Sequence, residues 1–293
     1  MRTIVASKHL NKSYGRTKAV RNLTMDIETN TICGLLGRNG AGKTTLLNML
    51  TGGIFPDSGE IVIADERLVP GASPAQTCYI REKNSFLGGA TVIESLEIAA
   101  AFYPNWDWSF AQQLITAFKL NPTKKIRQLS RGMESLVANI VGLASRAPLT
   151  IYDEPVLGLD VLMREKFYKV LLQDYAEHPR TILISTHLID EIATVVEKVY
   201  VIEAGTIVLE DEVDHIRSQS HLLTGSNEAV SRFTEGKRVI YKEAYGKGTL
   251  VAVYDEFSDH DKAEAGKQGV TVDGLPLQKF FAYLIKDGGK HVE

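Results

Sequence analysis

The chain has 293 residues, of which 44% are hydrophobic and 24% are charged, a composition typical of a globular protein. Its net charge of −3, from 33 basic and 36 acidic residues, gives no overall attraction to nucleic acid or to an anionic membrane. No apolar run reaches the roughly 18 residues that cross a bilayer, and the N-terminus lacks a signal-peptide pattern. Because the two cysteines, Cys33 and Cys78, fall in predicted core strands, we expect a reducing, cytoplasmic environment and no disulfides.

Two strands are predicted at the N-terminus, at residues 2–6 and 19–28, around a turn at Ser13-Tyr14-Gly15. Tyr14 has two interpretations, either an aromatic residue at a strand end or a ring that stacks on a nucleotide base. Its position 29 residues before Lys43, the lysine of the motif described next, favours the second interpretation.

The segment Gly37-Arg38-Asn39-Gly40-Ala41-Gly42-Lys43-Thr44-Thr45 matches the phosphate-binding loop pattern G-x-x-x-x-G-K-[ST]. A short apolar strand precedes it at residues 31–36, and a helical pattern follows at residues 44–50. Glycines let backbone N–H groups turn towards a phosphate, and the helix N-terminus adds a favourable dipole. Lys43 would place its charge on the β- and γ-phosphates, and the Thr44 hydroxyl would ligate Mg²⁺. We therefore predict nucleotide binding.

Residues from about 85 to 145 are predicted to form a helical insertion in an otherwise α/β domain. Strands are predicted before it, at residues 61–63 and 76–80. It has three predicted helices. The first covers residues 92–102, the second is capped by Asp107 or Ser109 and runs through Phe118, and the third covers residues 136–144.

Strands return after the insertion, at residues 149–154 and 181–187, with a helix at 164–175 between them and a hairpin at 199–209. Strands that alternate with helices indicate a mainly parallel sheet, whose ligands bind at the carboxyl ends of its strands. Gly37, Asp153 and His187 each follow such a strand end, so we expect them to converge on one crevice.

Beyond about residue 211 the pattern changes to a small α+β module. Its predicted elements are a strand at 221–224, a helix at 228–233, paired strands at 239–241 and 250–254, and a final helix through Leu277 and Ile285. Its histidines lack metal-ligand spacing, and no catalytic constellation is visible. We predict two units, residues 1–210 and 211–293.

The pair Asp153-Glu154 favours nucleotide hydrolysis. The first carboxylate after an apolar strand suits Mg²⁺, and the second can polarise a water for attack on the γ-phosphate. The alternative is a helix N-terminus with two acidic residues before Pro155. Three further segments complete an ordered set of motifs: Leu129-Ser130-Arg131-Gly132-Met133, Leu157-Gly158-Leu159-Asp160 and Ser185-Thr186-His187. Taken alone, Ser130 before a helix is an ordinary N-cap.

With these motifs in order, residues 1–210 resemble the nucleotide-binding subunits of ATP-binding cassette (ABC) transporters. The resemblance implies a P-loop NTPase cassette that binds ATP with Mg²⁺. It assigns residues 37–45 to the phosphate-binding loop, Tyr14 to base stacking, Asp153 to Mg²⁺, Glu154 to catalysis, His187 to the γ-phosphate, and Asp160 to the dimer interface. The family forms a head-to-tail dimer in which Ser130 and Gly132, in the signature segment 129–133, serve the nucleotide of the other subunit.

Two departures from the family pattern stand out. The signature segment carries Arg131 and Met133 where the family has glycine and glutamine. In addition, Glu82 occupies the place of a glutamine that follows the strand containing Tyr79. Glutamate can still ligate Mg²⁺ or orient a water but adds a negative charge near the γ-phosphate; the alternative is a solvated loop carboxylate.

The stretch Tyr103-Pro104-Asn105-Trp106-Asp107 and the altered signature look most like bacterial cassettes of the antimicrobial-peptide and bacitracin-resistance exporter type. The resemblance implies an ATPase that dimerises with itself or with another cassette and powers a separate membrane permease from the cytoplasmic face. The permease contact would lie near Glu82 and between Lys83 and Tyr103. Alternatives are an ATP-gated module with little hydrolysis, or a cassette acting on nucleic acid, against which the absence of a basic stripe argues.

Overall fold

The computed structural model describes residues 2–72, 74–83 and 86–286, which form three sheets and the helices that cover them. The strands are β1 (Thr3–Tyr14), β2 (Thr17–Glu28), β3 (Ile32–Leu36), β4 (Ser58–Ile63), β5 (Glu66–Arg67), β6 (Thr77–Ile80), β7 (Leu149–Asp153), β8 (Thr181–Thr186), β9 (Lys198–Glu203), β10 (Thr206–Glu212), β11 (Ser220–Gly225), β12 (Val239–Tyr245), β13 (Gly248–Tyr254) and β14 (Thr271–Gly274). The helices are α1 (Lys43–Leu50), α2 (Val92–Ala100), α3 (Trp108–Ala117), α4 (Arg131–Ala144), α5 (Val161–Glu177), α6 (Ile189–Ile192), α7 (Val213–Gln219), α8 (Asn227–Phe233), α9 (Asp259–Lys267) and α10 (Leu277–Lys286), with a 3₁₀ turn at Ile126–Gln128.

The central sheet has six strands in the order β10-β9-β3-β8-β7-β6. Its pairings are parallel except for the antiparallel hairpin of β9 and β10, which confirms the predicted mainly parallel α/β cassette. Leu36 is in register with Thr186, and Asp153 with Ser185, so β3, β7 and β8 end at the same edge. The residues that follow these strands therefore meet there, as predicted.

Alternate residues of the central strands belong to two different apolar cores, as expected for a sheet covered on both faces. Leu35 and Leu183 pack with α1 and with the antiparallel sheet β2-β1-β4-β5. Leu36 and Ile184 pack with the helices of the insertion and with α5. Because α1 is enclosed between two sheets, the loop that precedes it is held at a defined position.

Several predicted strands and helices are shorter than those in the structure. The first strand, predicted at residues 2–6, continues to Tyr14, because β1 pairs with both β2 and β4 through register shifts that interrupt any alternation of apolar residues. Helix α4 begins at Arg131, five residues before its predicted apolar start. Of the two predicted caps of α3, Asp107 accepts the bond, from the Phe110 N–H at 2.9 Å.

The C-terminal residues form an α+β module around an antiparallel sheet in the order β12-β13-β11-β14. The sequence interpretation missed α7, α9 and β14 here, and the proposed division after residue 210 falls inside β10. Helix α10 joins this module to the central domain, because Phe280 and Phe281 are buried in one apolar cluster with Ile192. In the part of the chain that the structure describes, no helix is both long and apolar enough to span a membrane.

Candidate functional site

Two glycines of the phosphate-binding loop have no room for a side chain. A Cβ on Gly37 would lie 2.4 Å from the carbonyl oxygen of Ile202, and one on Gly42 would lie 2.5 Å from that of Ala19. Gly42 also has a φ of 113°, a conformation that L side chains rarely adopt. Helix α1 starts directly after it, and no side chain caps its first N–H groups. A curved glycine loop with open helix N–H groups is suited to hold an anion.

Lys43, the first residue of α1, is 7% exposed and points back into this loop. Its Nζ donates hydrogen bonds to the carbonyl oxygens of Gly37, at 2.7 Å, and Arg38, at 3.5 Å. Burial lowers the pKa of Lys43, whereas the nearby carboxylates of Glu154 and Asp153 act in the opposite direction. A buried ammonium held by neutral carbonyl oxygens gains from an anionic ligand, which the loop is shaped to receive.

The loop opens into a cavity of about 550 Å³. The cavity brings together most of the predicted site residues, namely Arg38, Asn39, Gly40, Gly42, Lys43, Thr44, Thr45, Glu82, Asp153 and Glu154. Five basic and three acidic side chains line it, so the balance of charge favours a polyanion such as a nucleoside triphosphate.

Three of these basic residues, Arg16, Lys18 and Arg21, were not predicted as site residues. They lie on and just before β2, after the turn at Gly15. Arg21 is partly anchored, because its Nε donates to the carbonyl oxygen of Ala204 at 2.6 Å. The sequence does show three basic residues within the seven positions that follow Tyr14. Charged residues on an edge strand ordinarily face solvent, so this pattern does not by itself indicate a binding site.

Asp153 and Thr44, two of the three predicted metal ligands (the third is Glu82), are in contact. Thr44 Oγ1 donates to Asp153 Oδ2 at 3.3 Å, and the hydroxyl of Tyr79 lies 3.5 Å from the same oxygen. Burial raises the pKa of Asp153. Among the described residues no three His, Cys, Asp or Glu side chains are grouped to hold a metal by themselves. The pair nevertheless fits Mg²⁺, which commonly takes one or two protein oxygens and completes its shell with phosphates and waters.

Glu154 directly follows β7 with a φ of 53°, an uncommon value for a residue other than glycine. Its buried carboxylate contacts two residues at the end of β8. Oε2 accepts a hydrogen bond from the Thr186 hydroxyl at 3.0 Å, and Oε1 lies 2.9 Å from Nδ1 of His187. The motif Ser185-Thr186-His187 predicts no role for Thr186, although its hydroxyl directly precedes His187. A carboxylate held in this way can accept a proton from a water.

Four predicted residues lie outside this cavity but near it. Ala41 is buried inside the loop, and Gly37 and His187 line a second cavity of about 390 Å³ together with Arg38. Tyr14 is 52% exposed at the end of β1, with the Lys12 Nζ 5.9 Å from its ring centre.

Ser130, Gly132 and Asp160 are not in the cavity either. The Ser130 hydroxyl accepts from the N–H of Met133 at 3.3 Å and caps α4, and Asp160 accepts from the N–H of Met163 at 2.9 Å and caps α5. The two caps are adjacent, because a Cβ on Gly132 would lie 2.5 Å from the carbonyl oxygen of Gly158. Within one chain Ser130 and Asp160 are helix caps, and Gly132 lets the two capped ends approach each other.

Comparison with known proteins agrees with this geometry. The family model described as "ABC transporter" matches residues 20–157. The bacitracin transport ATP-binding protein BcrA of Bacillus licheniformis is 30% identical over 304 residues, which cover 98% of this chain and 99% of that protein.

Solved structures show the same fold. A structure described as the ATP-binding subunit of an ABC transporter is 27% identical with a TM-score of 0.67 and covers 74% of this chain and 93% of its own. A dimeric ATP-binding cassette in a post-hydrolysis state, bound to ADP and Pi, is 22% identical with a TM-score of 0.64, over 71% of this chain and 98% of its own. The predicted family is confirmed: this chain belongs to the ABC transporter family as an ATP-binding, ATP-hydrolysing cassette subunit.

Proposed function

We propose that this cassette hydrolyses Mg²⁺-ATP at the interface of an ATP-induced dimer and thereby powers a separate membrane permease, in the direction of export. The observation that carries the proposal is the convergence of Lys43, Asp153 and Glu154 on one cavity, with His187 bound to Glu154 at its edge. These are the groups that phosphate binding, metal binding and water activation each require.

The roles follow from the surroundings of each group. The loop N–H groups and Lys43 bind the β- and γ-phosphates, and Thr44 and Asp153 hold Mg²⁺, which would neutralise charge that develops on the phosphates. Glu154 accepts a proton from the attacking water. Because Thr186 and His187 both bind Glu154, they set the direction of its carboxylate. Tyr14 stacks on the base, and Glu82 orients the water or ligates Mg²⁺ from the rim of the cavity.

The dimer completes each site with residues that lie outside the cavity in one chain. Ser130, at the start of α4, and the open N–H groups behind it offer donors to a γ-phosphate held by the second subunit. Gly132 leaves room for close approach, and Asp160 lies at the same face beside Gly158. We propose a homodimer or a heterodimer with a second cassette.

The permease contact is proposed on the surface that follows Glu82. Within the predicted stretch from Lys83 to Tyr103, residues 84 and 85 lie outside the described residues. Leu87, Ile98 and Phe102 are exposed large apolar side chains of this stretch. Exposed large apolar side chains favour a protein partner, and a permease would hold the cassette at the cytoplasmic face of the membrane. Export is supported by the likeness to a bacitracin transport protein.

The test is steady-state phosphate release with Mg²⁺-ATP, measured per molecule over a hundredfold range of protein concentration. Specific activity that rises with concentration supports two copies completing each other's sites. Activity that equals that of a Lys43→Ala control at every concentration would instead favour an ATP-gated module with little hydrolysis, a candidate supported by the departures at Glu82, Arg131 and Met133.

A further inference from the structure

The two charged departures from the family motifs are in contact with each other. Arg131, in place of a signature glycine, donates from a terminal guanidinium nitrogen to Oε1 of Glu82, in place of a glutamine, at 3.0 Å. The residues are 49 positions apart in the chain, and each is charged where the family pattern has an uncharged residue.

The partners belong to different functional segments. Glu82 lines the nucleotide cavity together with Lys43, Asp153 and Glu154, and its charge acts on Lys43. Arg131 is the first residue of α4, the helix whose N-terminus carries the signature segment. The ion pair therefore connects the cavity of one chain to the segment proposed to serve the other chain.

Neither residue is explained by local stability. A cation at a helix N-terminus opposes the helix dipole, so Arg131 is unfavourable at the start of α4 unless an acidic partner offsets it. The side chains are 59% and 40% exposed, and ion pairs this exposed contribute little to folding. A third carboxylate on a cavity that receives triphosphate is likewise unfavourable unless its charge is balanced.

We propose that Arg131 is a positioning residue for the nucleotide site, which holds the Glu82 carboxylate and balances its charge so that this cassette binds Mg²⁺-ATP with glutamate in the place of glutamine. The inference rests on the proposed function, because it assigns a role within the same site. Arg131 engages Oε1 and leaves the second carboxylate oxygen for a water or Mg²⁺. With glutamine at position 82 there would be no charge to balance, so the contribution of Arg131 should disappear.

The test is a double-mutant cycle on the full chain, with the Kd for Mg²⁺-ATP measured by displacement of a fluorescent ATP analogue. We expect Arg131→Ala to raise the Kd at least about fivefold, and to change it less than about twofold in a Glu82→Gln background. Arg131→Lys should restore most of the affinity because it keeps the charge. Arg127→Ala is the matched control, since it removes a nearby exposed cation that forms no ion pair with Glu82.

The outcomes separate this inference from the proposed function. Equal effects of Arg131→Ala in both backgrounds, or an equal effect of Arg127→Ala, would show a general charge effect and overturn the inference while leaving ATP hydrolysis intact. Failure of the unmodified chain to bind Mg²⁺-ATP would overturn both. Thermal unfolding of every variant checks that the fold is kept. Because both side chains are exposed, neither should be needed for folding, so a variant that fails to fold would contradict a positioning role.

Discussion

His187 and Glu154 are hydrogen-bonded at the ends of adjacent parallel strands, with His187 Nδ1 2.9 Å from Glu154 Oε1. The carboxylate is 8% exposed, whereas the imidazole is 44% exposed and lines a cavity with Gly37 and Arg38. The buried proton acceptor is therefore linked to the surface of the phosphate-binding loop through one side chain. A change at that surface that moves His187 would change the surroundings of Glu154.

Glu154→Gln is expected to stop turnover but keep nucleotide binding. An amide is the same size as the carboxylate and can still accept from the Thr186 hydroxyl, but it cannot take a proton from water. We expect phosphate release to fall at least about a hundredfold, the usual loss for a general base. Size-exclusion chromatography with Mg²⁺-ATP should show more dimer than the unmodified chain. Undiminished phosphate release would remove Glu154 from its proposed role.

Thr186→Val tests whether the hydroxyl orients the catalytic carboxylate. Valine has the same shape but cannot donate the 3.0 Å hydrogen bond to Oε2. The Glu154 carboxylate would then keep only its contact with His187. We expect kcat to fall about tenfold, with the KM for ATP within about twofold, since the change affects the reacting state more than substrate binding. Thr116→Val, on the exposed face of α3, is the matched control. A change in KM with kcat intact would contradict an orienting role.

The sequence predicted the parts of this site that follow from local order. Lys43 is predicted by the phosphate-binding loop motif and Asp153 by its place at the end of an apolar strand, and parallel strands bring such strand ends together. Lys18 was missed, because only the tertiary fold carries the β1–β2 hairpin over the cavity. The Arg131–Glu82 contact is not predictable for the same reason, because a contact between residues 49 positions apart depends on how α4 packs.

Asp153→Asn is expected to stabilise the folded chain at neutral pH. Burial raises the pKa of Asp153, so the Asp153 carboxyl group holds its proton more tightly in the folded chain than in the unfolded chain. Such a group lowers stability as pH rises above its unfolded pKa, and the loss is complete above its folded pKa. Asparagine carries no charge, so it should raise the free energy of unfolding at pH 7.5.

The gain should shrink as the pH falls through the folded pKa of Asp153 towards that of a free aspartate. Urea unfolding midpoints at pH 7.5, 5.5 and 4.5 measure this dependence, with exposed Asp26→Asn as the control. The same variant should lose Mg²⁺-dependent turnover, because it removes an anionic ligand. A gain that is constant over this pH range would contradict the assignment to Asp153.

Phe281→Ala is expected to destabilise the ATP-binding domain, although the residue lies in the C-terminal module. Phe281 is 1% exposed and shares an apolar cluster with Ile192 and Val196 of the central domain. Loss of a buried phenyl ring leaves a cavity and typically costs about 3–5 kcal/mol. Both tryptophans, Trp106 and Trp108, lie in the helical insertion, so tryptophan fluorescence reports unfolding of the ATP-binding domain alone.

The unfolding midpoint detected by tryptophan fluorescence should therefore fall by several degrees in Phe281→Ala, whereas exposed Lys279→Ala on the same helix should leave it unchanged. Since α6 begins two residues after His187 and packs on α10, a loosened α10 should also slow phosphate release more than Lys279→Ala does. If the midpoint detected by tryptophan fluorescence is the same for Phe281→Ala as for Lys279→Ala, the C-terminal module is an independent appendage. A shift confined to Phe281→Ala supports a C-terminal module that holds α6, and with it His187, in place.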